Sequence, residues 1–90
     1  MITDFKTSFL RSIKKIVDSS LKEEVERIIL SVEEAKTMEG FPELKKMKGC
    51  RNRTSYRIKL DSYRIGITIT NDVVTFVVFG HRKDIYKSFP

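Results

Sequence analysis

Ninety residues make one hydrophobic core and no second, which excludes any mechanism that needs a cleft between domains. A composition of 40% hydrophobic and 33% charged residues, with two prolines and four glycines, excludes a disordered or fibrous chain. The formal net charge of +6 is unevenly spread: residues 1–40 hold seven Lys or Arg against eight Asp or Glu, net −1, and residues 41–90 hold eleven against four, net +7. A cationic half implies a basic surface, whose usual partners are nucleic acid, acidic protein or anionic membrane.

In chain order, Met1 to Phe5 is a short polar segment. From Thr7 to about Val17, Phe9, Leu10, Ile13, Ile16 and Val17 recur at helical spacing with Arg11, Lys14 and Lys15 between them, which predicts a short amphipathic helix. A second helix opens at Ser20, with Glu23 placed to complete a capping box. Its apolar stripe is Leu21, Val25, Ile28, Ile29, Val32 and Ala35, and Gly40 and Pro42 stop it. Only Asp18 and Ser19 link the two, so they should pack as an antiparallel hairpin. Residues 39–55 hold Gly40, Pro42, Gly49 and the cations Lys45, Lys46, Lys48, Arg51 and Arg53, and read as an irregular exposed loop suited to touching a ligand. From Tyr56 the period becomes two: Tyr56, Ile58 and Leu60 alternate with Arg57 and Lys59, and Tyr63, Ile65, Ile67 and Ile69 with Arg64, Gly66 and Thr68. Asp61-Ser62 and Asn71-Asp72 are two-residue links, and a third strand runs from Val73 to Gly80.

Counting back from the two turns places Lys59 opposite Arg64 and Arg57 opposite Gly66, then Gly66 opposite Val77 and Arg64 opposite Phe79. One face then gathers Arg57, Lys59, Arg64, Phe79 and, just beyond, His81. The other is apolar and receives the helices. Like charges directly opposed cost up to about 1 kcal/mol per pair, a cost that a bound phosphate reverses, and the Phe79 ring would stack on a base. The plainer alternative is a solvated basic face. His81 is either a hydrogen-bonded structural residue or a neutral imidazole able to take a proton. Tyr86, in the tail DIYKSF, either donates a proton or anchors the tail. One His and one Cys cannot build a usual zinc site, and nothing resembles a phosphate-binding glycine loop, so neither a metal nor a cofactor is expected. The longest apolar run, Phe76 to Phe79, is far below the roughly 18 residues of a membrane span. The absence of a signal-like block and the single Cys50, read as a reduced thiol, point to the cytoplasm.

SYRIKLDSYRIGITI followed by VVTFVVFGHRKDIY resembles the RelE/ParE superfamily of bacterial and archaeal toxins, in particular its RelE-like messenger-cleaving branch. The match extends upstream to FKTSFLRSIKKI and KKMKG and so covers most of the chain. The resemblance implies a single α+β domain over residues 1–90, in the order β-α-α-β-β-β, with the helix hairpin on one face of a small antiparallel sheet. It implies the toxin of a type II toxin-antitoxin system, an endoribonuclease that cleaves messenger RNA in the A site of the small ribosomal subunit by metal-free attack of the 2′-hydroxyl. On it, Arg57, Lys59 and Arg64 match the family's basic strand positions, Arg82 the arginine after the last strand, and Tyr86 the C-terminal tyrosine. The roles that follow are Lys59 or His81 as base, Arg64 and Arg82 as phosphate stabilisers, Arg57 as positioner and Tyr86 as leaving-group donor.

The partners implied are a RelB-like cognate antitoxin, the ribosome with its message, and operator DNA only through the antitoxin complex, with no membrane. The alternatives are a ParE-like inhibitor of DNA gyrase and a catalytically silent module that binds antitoxin and DNA.

Overall fold

Two tight turns and period-two alternation dictate the centre of the molecule. The computed structural model describes residues 1–37, 40–41, 44–46 and 55–89, with the backbone alone for 44–46, Tyr86 and Ser88. Strands β3 (Ser55–Leu60), β4 (Tyr63–Thr70) and β5 (Val73–His81) form an antiparallel meander. Asn71 and Asp72 hold φ of 51° and 65°, the two positive values that a primed hairpin turn requires, and Asp61 holds 53°. The β3–β4 register is the one counted from the sequence, with Lys59 opposite Arg64 and Arg57 opposite Gly66.

Two edge strands complete a five-stranded sheet in the order β1-β5-β4-β3-β2. β1 (Ile2–Phe5) lies parallel to β5, so the sheet is mixed rather than wholly antiparallel, within the expected α+β class. β2 (Leu44–Lys46) pairs antiparallel with β3 and corrects the reading of residues 39–55 as loop throughout. The open edge of β3 takes up three residues of that segment as a further strand.

The helices are α1 (Thr7–Lys14) and α2 (Ser19–Glu34). α1 stops three residues before Val17, which is 97% exposed and gives no burial for a further turn. Asp18, not Ser20 with Glu23, caps α2: its carboxylate accepts from the backbone N–H of Ser20 at 2.9 Å and of Leu21 at 3.4 Å. α2 ends at Glu34, ahead of Gly40 and Pro42, where Ala35 turns extended and the Met1 nitrogen donates to the carbonyls of Glu33 and Ala35. Among the described residues no helix is long and apolar enough to cross a membrane.

The predicted stripes are buried in part: Ile13, Ile16, Leu21, Ile29 and Ala35 are half-buried, and Leu10 and Val17 are exposed. Phe9, Val25, Ile28 and Val32 pack on Ile58, Ile65, Ile67, Val74 and Phe76, and the ring of Phe76 lies 5.2 Å from Phe5 and 5.3 Å from Phe9.

The β4–β5 register departs from the count. Ile67 faces Phe76 but Gly66 faces Val78, so Val77 is an extra residue and the strand carries a β-bulge. Arg64 therefore faces Gly80 instead of Phe79. The bulge is held from the helix side, where the Ser8 hydroxyl donates to the Val77 carbonyl at 2.5 Å and the Lys6 N–H to the Phe76 carbonyl at 2.9 Å. Val78, expected beneath the hairpin, instead joins Val77 against Ile85 and Phe89 in a second cluster.

Ile85 and Phe89 belong to a C-terminal helix, α3 (Arg82–Ser88), and to the residue after it. This corrects two expectations, since the tail is helical and the sheet face opposite the hairpin is partly covered. Gly66 makes the covering possible. A Cβ at Gly66 would stand 2.8 Å from the Phe89 ring, so only glycine admits that ring against β4. Gly66→Ala should destabilise the fold by roughly 1–3 kcal/mol, with the loss concentrated in earlier proteolysis of the C-terminal segment. In a Phe89→Ala background the same substitution should cost little. Equal losses in both backgrounds would show that the ring does not set the requirement.

Candidate functional site

The cations that the sequence singles out are placed by backbone register. Lys59 is exposed and stands directly opposite half-buried Arg64, and half-buried Arg57 lies two residues back along β3 on the same face. Directly opposed residues have Cβ atoms about 4.5–5.5 Å apart, so Lys59 and Arg64 are immediate neighbours. Arg64 is itself braced: its Nη1 donates to the carbonyls of Asp61 and Tyr63, both at 2.7 Å, which holds the guanidinium at the β3–β4 turn. Arg82 comes to that same turn from α3. Its backbone N–H donates to the Ser62 carbonyl at 2.8 Å, one step past the Tyr63–His81 pair, and its side chain is exposed. Lys59, Arg64 and the backbone of Arg82 thus lie at one end of the sheet, beside the β3–β4 turn. Asp61, also exposed there, is the acidic residue of the turn.

β2 adds Lys45 as the register partner of Arg57, whereas Lys46 pairs with Tyr56 one step away. Lys48, Arg51 and Arg53 lie outside the described residues. Tyr86 sits in α3 four residues after Arg82, with its side chain outside the description.

Two expected members of the face are elsewhere. Phe79 is 7% exposed and stacks on Tyr63 with centroids 5.3 Å apart and planes at 9°, on the helix side of the sheet, so its ring is not open to a base. His81 lies across the sheet from Lys59 and Arg64, edge-on to Tyr63 at 5.8 Å, and its Nδ1 accepts from the Lys83 N–H at 3.3 Å to cap α3. The bulge is the cause in both cases. One extra residue reverses the facing of everything in β5 beyond it. The α3 wall was missed by sequence reasoning, although Ile85 and Phe89, one helical turn apart, were a signal for it. An open cleft of about 530 Å³ lies on the helix side, behind Tyr63 and Phe79, where Ile16 and Leu21 form part of its wall.

A family model described as the ParE toxin of the type II toxin-antitoxin system parDE matches residues 4–86. A protein from Methanocaldococcus jannaschii named Toxin RelE3 is 36% identical over 90 residues, covering 96% of each chain. The chain belongs to the RelE/ParE family of type II toxins. Among solved structures, this toxin is similar to the RelB-RelE antitoxin-toxin complex from Methanococcus jannaschii, with a TM-score of 0.79, 29% identity and coverage of 97% and 99% of the two chains. The intact RelBE complex of E. coli gives 0.67 at 25% identity, over 89% and 94%. The YoeB dimer from Staphylococcus aureus, at 0.73 and 13% identity over 91% and 97%, shares the fold.

The toxin's basic face opposes its own folding, and this can be measured. Lys59→Glu, which places a carboxylate opposite Arg64, should raise stability to chemical denaturation by up to about 1 kcal/mol, with a smaller gain in 1 M salt. No gain at low salt would show that the two side chains do not repel across the ladder.

Proposed function

We propose that this toxin cleaves messenger RNA in the ribosomal A site, on the face that carries Arg57, Lys59, Arg64 and Arg82. What supports the reading is the direct pairing of Lys59 with Arg64, a like-charge arrangement that costs folding stability and that a phosphate relieves. The chemistry asks for a base and for fixed positive charge. Lys59, the base of this reading, takes the proton of the ribose 2′-hydroxyl; the freed oxygen attacks the adjacent phosphorus, and the bond from phosphorus to the 5′-oxygen breaks. The products are a 2′,3′-cyclic phosphate and a 5′-hydroxyl whose proton comes from Tyr86, the donor of this reading. Arg64 and Arg82 stabilise the charge that develops on the phosphate oxygens, and Arg57 positions the strand. His81 is left the structural task of capping α3. The route needs no metal.

The solved relatives from Methanococcus jannaschii and E. coli are complexes of toxin with antitoxin. By likeness, a RelB-like cognate antitoxin holds this chain in check, and operator DNA is met only through that complex. Its segment should be acidic and apolar, because it has to neutralise the +7 half of the sequence.

A second reading, a ParE-like gyrase inhibitor, draws on one observation. With Phe79 and His81 on the helix side, Lys59 is the one candidate base left on the basic face among the described side chains. Primer extension on ribosome-bound message separates the two. Cleavage within translated codons is expected, and Lys59→Ala and Arg82→Ala should each slow it by roughly a hundredfold or more, with the fold intact because both side chains are exposed. Arg64→Ala is a poorer probe, since it also removes two hydrogen bonds that brace the turn. His81→Ala should cost about 1 kcal/mol of stability through the lost cap while cleavage persists. If the Lys59 and Arg82 variants cleave at the wild-type rate, the roles assigned to these two residues fall; if the wild-type chain leaves ribosome-bound message uncut, the nuclease reading falls, and inhibition of gyrase supercoiling would establish the other.

A further inference from the structure

The face has a direction. On the rows that carry the cations, the β4 and β5 columns are filled: Phe89 lies over Gly66, and Ile85 stands 3.7 Å from where a Cβ of Gly80 would be. Gly66 is the register partner of Arg57, and Gly80 that of Arg64. A nucleic-acid strand that reaches Lys59 therefore meets α3 if it continues across the sheet. Among the described residues, the direction left open is along β3, beside β2. On that line the rows are Lys59 with Arg64 and then Lys45 with Arg57. Residues two apart on a strand are separated by about 6.8 Å along it, close to the step between successive phosphates of an extended single strand.

We infer that the toxin holds two consecutive phosphates of a single RNA strand running along β3, the reacting one at the Lys59–Arg64 row and its neighbour at a second subsite on the Lys45–Arg57 row. The inference rests on the nuclease reading for the identity of the first phosphate. The second subsite follows from β2, whose pairing brings Lys45 to Arg57 although twelve residues separate them in sequence, and from α3, which closes the crosswise route. The rows also give Lys45 a task that sequence proximity to a basic loop does not. It is a positioning residue that fixes the register of the strand against Lys59.

The test is binding of short 2′-O-methyl RNA, which cannot be cleaved, to the whole chain, followed by NMR at several salt concentrations. A trinucleotide has two internal phosphates and a dinucleotide one. The wild-type chain should bind the trinucleotide on the order of tenfold more tightly, with a log–log salt slope steeper by about 0.7. The variant Lys45→Gln/Arg57→Gln, which keeps the aliphatic stems, should bind both lengths equally and lose the extra slope, and an unchanged amide spectrum elsewhere should report an intact fold. Shift changes should follow β2 and β3. A length advantage that survives in the variant, or shifts that spread across β4 and β5 instead, would overturn the inference. The nuclease reading is judged separately: a trinucleotide advantage that depends on Lys45 and Arg57, in a chain that leaves ribosome-bound message uncut, would retain the second subsite and reject the nuclease.

Discussion

One extra residue in β5 organises both sides of this toxin. Because side chains alternate along a strand, the insertion of Val77 exchanges the faces of all that follows until the strand ends at His81. Phe79 turns in beneath the helix hairpin and stacks on Tyr63, and Val78 turns out with Val77 to meet Ile85 and Phe89. Without the bulge Phe79, instead of Val78, would lie on the face of the C-terminal helix, and the hairpin would lose an aromatic residue from its core. Ser8 and Lys6 fix the bulge with hydrogen bonds to Val77 and Phe76, so the start of α1 and the irregularity in β5 stabilise each other.

The sheet consequently serves two unequal cores, where chain length alone predicts one. The large one lies under α1 and α2, and the small one holds α3 in place on the other face. The docking surface of α3 is small, and Gly66 is what lets Phe89 approach closely enough for the contact to exist. Arg82, which α3 carries, is thereby set beside the β3–β4 turn where Lys59 and Arg64 already stand. Fold stability and the arrangement of the basic face are coupled through this one helix.

The basic face runs against folding in a consistent way. Lys59 opposes Arg64, Lys45 pairs with Arg57, and Arg64 relieves part of its own desolvation by donating to two turn carbonyls. Like charges directly opposed on neighbouring strands are destabilising. Two of the solved relatives of this toxin are complexes of toxin with antitoxin.

The sequence by itself determined the elements whose information is local. Alternation from Tyr56 to Ile69, with the two-residue link Asp61-Ser62, set the β3–β4 register to the residue and hence the pairing of Lys59 with Arg64. The helical stripe from Leu21 to Val32 set the buried face of α2. Family likeness in the YRI segments was legible for the same reason, because it is carried by contiguous residues. Tertiary structure alone decided the bulge, since nothing in VVTFVVFGH marks which valine is extra; the choice is made by the hairpin above, which needs both Phe76 and Phe79 beneath it. It also decided that Lys45 belongs to a strand, through an edge of β3 far along the chain. Both decisions rest on contacts between residues distant in sequence, and period counting within a segment holds no record of them.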